Sequence, residues 1–186
     1  LDKGLISRSS YKNEKENYIH PPMPKEAEEG IIKGMYKIRS TDKPTLRLLG
    51  SGPLMGEVLK AADLLKKDWK IDAGIWCVTS FSELRREAEE IERWNLLHPD
   101  KKAKKSHLEN KLENYKVPTV AVSDYVKMVS EQISPYVPGP YYALGTDGFG
   151  RSETRKNLRH FFEIDRFYIV LAGIRALALA GKTEET

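Results

Sequence analysis

The feature that most constrains the fold is an alternation of short apolar runs with longer segments of helical period. Leu46 to Leu49, Ile75 to Thr79, Val117 to Val122 and Tyr141 to Leu144 have strand length. Between them Leu54, Val58, Ala61, Ala62 and Leu65 recur at helical spacing. Leu84, Ala88, Ile91 and Trp94 do the same, and so do Tyr125, Val129, Ile133 and Tyr136. An apolar stripe every three or four residues lets a helix cover a sheet, and an unbroken apolar run suits a strand covered on both faces. Such alternation implies an α/β fold, three layers α/β/α, with a mixed, mainly parallel sheet whose crossovers are right-handed. Met35 to Arg39 alternates in part and reads as an edge strand. The short turn Thr41-Asp42-Lys43-Pro44 before Leu46 favours an antiparallel pairing of these two strands, for about five strands in all.

Local signals place the boundaries. Lys25 to Lys33 reads as a short helix stopped by Gly34, and Ser51 or Gly52 caps the next helix with Pro53 in its first turn. Ser80 and Glu83 have capping-box spacing, and Ser152 reads as another cap. The helix from Tyr125 should fray at Pro135 and Pro138, and a last helix spans Arg166 to Ala180. Glu92 to Lys116 is the least regular stretch and reads as a surface excursion. Residues 1–24 read as an extended linker from a preceding domain, ending in proline-locked Pro21-Pro22-Met23-Pro24, with the folded domain at 25–186. The first residue is leucine, which suggests an internal fragment or a processed product.

A chain of 186 residues, 40% apolar and 31% charged, suits one soluble globular domain plus an extension. No apolar run approaches the roughly 20 residues that span a bilayer, and no signal peptide is evident. The lone Cys77 lies in the apolar run Ile75-Trp76-Cys77-Val78, so a buried thiol and a reducing, cytoplasmic setting are expected. The formal charge of +4 is concentrated in Lys101-Lys102-Ala103-Lys104-Lys105, which reads as a solvated loop rather than a nucleic-acid patch.

Gly145-Thr146-Asp147-Gly148-Phe149-Gly150-Arg151-Ser152 is the candidate functional loop, three glycines with an acid and an arginine between a strand and a charged helix. Asp147 and Arg151 have two readings. They pair with each other or with backbone to fix the loop, or they face a partner subunit or charged ligand at the carboxyl ends of the strands. His160 reads as a surface or interface residue more than as a proton carrier, since no substrate proton is implied. His20 sits in extended backbone, where contact with another domain is plausible. Gly50-Ser51-Gly52 with Gly56 misses the dinucleotide spacing and reads as a turn onto a helix whose N-terminus accepts an anion at most. The four histidines lack metal-ligand spacing, and no Gly-x-Ser-x-Gly elbow is present.

Taken together, ordered segments resemble one family. They are Glu16-Asn17-Tyr18 with His20-Pro21, Glu28-Glu29-Gly30-Ile31 with Gly34-Met35-Tyr36, and Leu48-Leu49-Gly50-Ser51-Gly52. Val78-Thr79-Ser80-Phe81, Glu92-Arg93-Trp94-Asn95, Leu97-His98-Pro99 and the Thr146–Ser152 loop with Asn157-Leu158-Arg159 follow. From about Glu16 to Ala180 the chain resembles the C-terminal domain of the homodimeric pyruvate dehydrogenase subunit, within the transketolase superfamily. Residues 1–15 and the basic run at 101–105 depart from the pattern.

That resemblance implies a three-layer domain with a five-stranded mixed sheet. It implies a parent enzyme, using thiamine diphosphate and magnesium, that decarboxylates pyruvate and passes the acetyl group to a lipoyl-bearing acetyltransferase component. The family's Gly-Asp-Gly cofactor motif is absent here, so no catalytic, cofactor or metal residue is assigned to this chain. The expected role is packing against upstream domains and a second subunit. The loop residues Asp147, Gly148, Phe149, Gly150, Arg151 and Ser152, with His160 and His20, are the candidate interface or approach to the active site. Neither nucleic acid nor membrane is an expected partner. Rival readings are another 2-oxo acid or ketose-phosphate enzyme, or a non-catalytic binding or scaffold module.

Overall fold

The computed structural model describes residues 23–181 apart from 26, 40 and 42, so His20 and the expected linker lie outside the described residues. A five-stranded sheet carries β1 (Met35–Arg39), β2 (Leu46–Ser51), β3 (Ala73–Val78), β4 (Thr119–Val122) and β5 (Tyr141–Leu144). Their order is β1-β3-β2-β4-β5, with β1 antiparallel to β3 and the other pairs parallel. A short α1 (Glu28–Ile32) precedes β1, and α2 (Met55–Trp69) links β2 to β3. Then come α3 (Phe81–Leu97), α4 (His107–Leu112), α5 (Lys127–Glu131), α6 (Arg155–Phe161) and α7 (Arg166–Leu179).

Every residue of β3 and β4 is buried, as is β2 from Leu46 to Gly50, because the sheet is covered on both faces. Alternate side chains divide between two cores. Leu46, Leu48, Ile75, Cys77, Val120 and Val122 meet α2 and α7, whereas Leu49, Trp76, Val78 and Ala121 meet α3 and α4. Cys77 is the expected buried strand thiol, and burial raises its pKa. Right-handed connections account for the two layers. The step from β2 to β3 runs one way along the sheet and those to β4 and β5 run the other, so their helices fall on opposite faces.

Several expected boundaries differ. β1 does not pair with β2, because both edges of β2 are taken by parallel neighbours. The connection instead passes the amino end of β3, where the Thr45 amide donates to Asp72 O (3.1 Å), and leaves β1 on the outer edge of β3. Ser51 makes no side-chain cap; Gly52–Leu54 form a 3-10 turn containing Pro53 ahead of α2. Ser80 Oγ does accept from the Glu83 amide (3.1 Å). The segment expected to run from Tyr125 to Tyr136 is only α5 and a 3-10 turn at Ser134–Tyr136.

The largest correction concerns 92–116. Helix α3 continues to Leu97, and α4 inserts His107, Leu108 and Leu112 into the second core. Ser106 and Glu109 form a full capping box there, and His107 Nε2 lies 3.1 Å from Met35 O. Only residues 99–105 remain an exposed loop, and Lys104 folds back with its ammonium 3.7 Å from the centre of the Trp94 ring. Two apolar residues, Leu108 and Leu112, were too few to show periodicity, so burial there was invisible in the letters.

Two buried charges tie the layers together. The Arg47 guanidinium donates to Leu112 O (2.6 Å), Pro138 O (3.0 Å) and Thr119 Oγ1 (3.2 Å), neutral acceptors on three segments. Burial lowers its pKa to about 10. Glu57, in the first turn of α2, accepts from Arg166 N (3.0 Å), Nε (2.8 Å) and Nη2 (3.0 Å), and from Arg159 Nη1 (3.2 Å). Burial by itself raises the Glu57 pKa, but hydrogen bonds and charge from Arg166, with the charge of Arg159, bring it below the usual carboxylate range.

Glu57→Gln should cost about 3 kcal/mol in urea unfolding, because two partly desolvated guanidiniums lose their counter-charge. A carboxylate held below its unfolded value gives stability that is complete above about pH 4.3 and lost as pH falls through the folded value. Wild type should therefore lose stability below that pH more steeply than Glu57→Gln. Arg47→Met should cost about 2–3 kcal/mol by leaving buried carbonyls unpaired, and a loss under about 0.5 kcal/mol would refute the tie.

Candidate functional site

The parallel strands β2, β4 and β5 all point their carboxyl ends at one edge of the sheet. Chain direction reverses across β2, so the connections after β2 and β4 leave toward opposite faces. Open α/β sheets form a crevice at such a point. Here it is a cleft of about 210 Å³, lined by Pro53 and Leu54 after β2, Asp124 after β4 and Thr146 after β5. Arg155, Leu158 and Arg159 of α6, with Phe162 and Ile164, close it.

The glycine loop is built against the β4–α5 connection. Gly145 is buried, and a Cβ there would stand 2.6 Å from Tyr125 O and 2.7 Å from Lys127 N, so two backbones meet where only hydrogen fits. The Thr146 amide donates to Tyr125 O (2.8 Å), and its hydroxyl donates to Asp124 O (2.9 Å). Asp147 accepts from the Lys127 amide (3.0 Å), with Lys127 Nζ 3.7 Å from its other oxygen. Asp147 thus anchors the loop to the backbone of the β4–α5 connection. It does not pair with Arg151, whose guanidinium carbon instead lies 5.0 Å from the centre of the Phe161 ring.

Beyond Asp147 the loop projects outward. Gly148 has φ 93°, a left-handed turn open to glycine, and Gly148, Gly150 and Ser152 are exposed. Phe149 at the tip is 93% exposed, and Tyr125, Val126 and Met128 beside the loop's base are also exposed. Ser152 is not a cap. Helix α6 starts at Arg155, capped by Thr154 Oγ1, which accepts from the Asn157 amide (3.3 Å).

His160 lies on α6 with Nδ1 3.1 Å from Asp165 Oδ2 and its ring 5.4 Å from Tyr168. Asp165 also caps α7 by accepting from the Phe167 and Tyr168 amides. These contacts fix the α6–α7 corner, in keeping with the surface reading. The residues that sequence reasoning passed over are Glu57, Asp124 and Arg155. Glu57 looked like any acid in a first helical turn, and nothing within the chain's local order linked it to Arg159 or Arg166, more than 100 positions on. The site is thus an anchored loop with a solvent-facing aromatic tip over a small cleft, an arrangement suited to recognition.

Comparison with known proteins accords with this architecture. The profile of the transketolase-like TK C-terminal domain matches residues 34–165. The chain is 50% identical over 170 residues to the pyruvate dehydrogenase E1 component of Cupriavidus necator, covering 89% of this chain and 19% of that protein. The corresponding values are 51% over 173 residues, 91% and 20%, for the Pseudomonas aeruginosa protein. For that of Escherichia coli K12 they are 44% over 173 residues, 91% and 19%. The chain therefore spans about a fifth of the length of the curated relatives it matches. Among solved structures, a Pichia stipitis transketolase in complex with xylulose-5-phosphate superposes with TM-score 0.57 at 18% identity, over 84% of this chain and 20% of its own. Transketolase from Leishmania mexicana gives 0.56 at 19%, over 81% and 19%. By sequence, and in accord with its fold, the chain belongs to the transketolase-like C-terminal domain family.

Proposed function

We propose that this chain is the C-terminal lobe of a pyruvate dehydrogenase subunit that decarboxylates pyruvate and transfers the acetyl group to a lipoyl-bearing acetyltransferase component in the cytoplasm. The observation that carries the reading is 50% identity to a pyruvate dehydrogenase E1 component across 89% of the chain. The lobe begins near residue 25, packs on upstream domains and contributes contacts within a homodimer. Residues Asp147 to Ser152 stand at the boundary with the active-site approach, with His160 fixing the corner behind them.

The carboxyl-edge cleft is a poor fit for thiamine diphosphate with magnesium. Its 210 Å³ is below the roughly 300–1,000 Å³ usual for ligand pockets, and Arg159 on its wall is already engaged by Glu57. The cofactor and its carbanion chemistry are assigned to the upstream domains. Among the described residues no helix is long and apolar enough to cross a membrane.

The full-length subunit carrying this chain should turn over pyruvate in preference to other 2-oxo acids and to ketose phosphates. Preference for one of those, or no turnover of any, would refute the substrate. Calorimetry of residues 1–186 with thiamine diphosphate and magnesium should register no tight binding. Phe149→Ser should leave unfolding within about 0.5 kcal/mol of wild type, since the ring is exposed, yet lower kcat/KM of the full-length subunit. A drop of about tenfold, equivalent to about 1.4 kcal/mol, is expected if the tip meets the approach.

A further inference from the structure

Helix α7 carries no charge from Phe167 to Ile174. Its inner side, including Ile169, Val170 and Leu177, is buried against the first core. Its outer side is apolar as well, with Phe167 65%, Leu171 59% and Leu179 66% exposed along one row with Arg175. A surface helix normally turns polar residues outward, and one that is apolar all round is normally covered all round. Three large apolar side chains in one row differ from the scattered exposures any surface shows. Beside this row a groove of about 320 Å³ runs between α2 and α7, with Leu64 and Phe167 in its wall and Lys60 and Lys67 on its rim. Asp63, also at the groove, is engaged by Arg39 at 2.7 Å.

We propose that the outward face of α7, with the adjoining edge of α2, is the seat on which the preceding part of the longer polypeptide packs. The inference rests on the reading of the chain as one lobe of a longer subunit and names the surface used. Relatives are about five times as long as this chain, so most of such a subunit lies outside it. The described chain enters the domain at α1, whose Ala27 and Ile31 join the same core cluster as the inner sides of α2 and α7. A second copy is a poor occupant. Helix α7 has no acid, and a two-fold contact would bring the same Arg175 and Lys67 against themselves. The occupant's surface is therefore apolar where it meets Phe167, Leu171 and Leu179.

The test uses the full-length subunit with Leu171→Cys or Leu179→Cys, followed peptide by peptide during maleimide labelling. Leu96→Cys, 78% exposed on the opposite face, serves as the open reference. Positions 171 and 179 should label at least about tenfold more slowly than 96, because local opening must precede reaction. Hydroxyl-radical footprinting of Phe167 and Leu171 in the unsubstituted subunit gives the same reading without a variant, as slow oxidation. A photo-crosslinking amino acid at position 171 should link to residues that precede this domain. Labelling as fast as at 96, links to α2 or α7 of a second copy, or links to a different protein would each overturn the proposal. Pyruvate turnover is measured on the same preparation. Failed turnover with links to the preceding region removes only the substrate reading, and normal turnover with an open α7 face removes only this inference.

Discussion

The carboxylate of Glu57 is the point on which the carboxyl edge of this domain is organised. It sits at the start of α2, side-chain exposure 5%, where an unpaired negative charge would be strongly disfavoured. Three donors from Arg166 and one from Arg159 surround it. The first turns of α2 and α7 add the partial positive charge of their unsatisfied amides. A single anion thus holds two helix starts and α6 together, and it fixes both helices with their N-termini toward the same edge. Arg159 extends the tie by donating to Pro53 O (3.3 Å), the turn that lines the cleft.

The anchored loop depends on that arrangement. Helix α6 is held by Arg159 to Glu57 at one side, and His160 meets the Asp165 cap at its end. On the other side the loop is fastened to the β4–α5 connection through Gly145, Thr146 and Asp147. Between two fixed ends, the tip carrying Phe149 is free of contacts that would bury it. With rigid flanks, little ordering entropy remains to be lost on any contact the aromatic tip makes. The same edge receives the incoming chain near α1, where Thr79 Oγ1 donates to Ile31 O (2.8 Å).

The outer row of α7 and the loop tip are two places where large apolar side chains are exposed. Both accord with a chain that spans about a fifth of its relatives' length. Stability and function are then divided between layers. The buried Arg47 and Glu57 hold the sheet and helices as one body, whereas Phe149 at the edge and the outer row of α7 take no part in that core.

The alternation of strands with helices, an antiparallel edge strand, the buried Cys77 and the position of the glycine loop were legible in the sequence. Each follows from periodicity or from glycine and proline chemistry, which act over a few residues. What periodicity did not carry was pairing across the sheet. The turn at 41–44 is short enough for a hairpin, yet β1 crosses to β3, because competition for the edges of β2 is decided by strands that come later in the chain. Helix α4 was missed because Leu108 and Leu112 alone make too short a stripe; its burial depends on the space left between α3 and the sheet. Likewise the letters singled out Asp147 and Arg151 but not their partners, Lys127 and Phe161. Local chemistry determined which segments form elements. Only tertiary packing decided which distant charges meet, because Glu57 and Arg166 become neighbours solely through two helices laid side by side on one face.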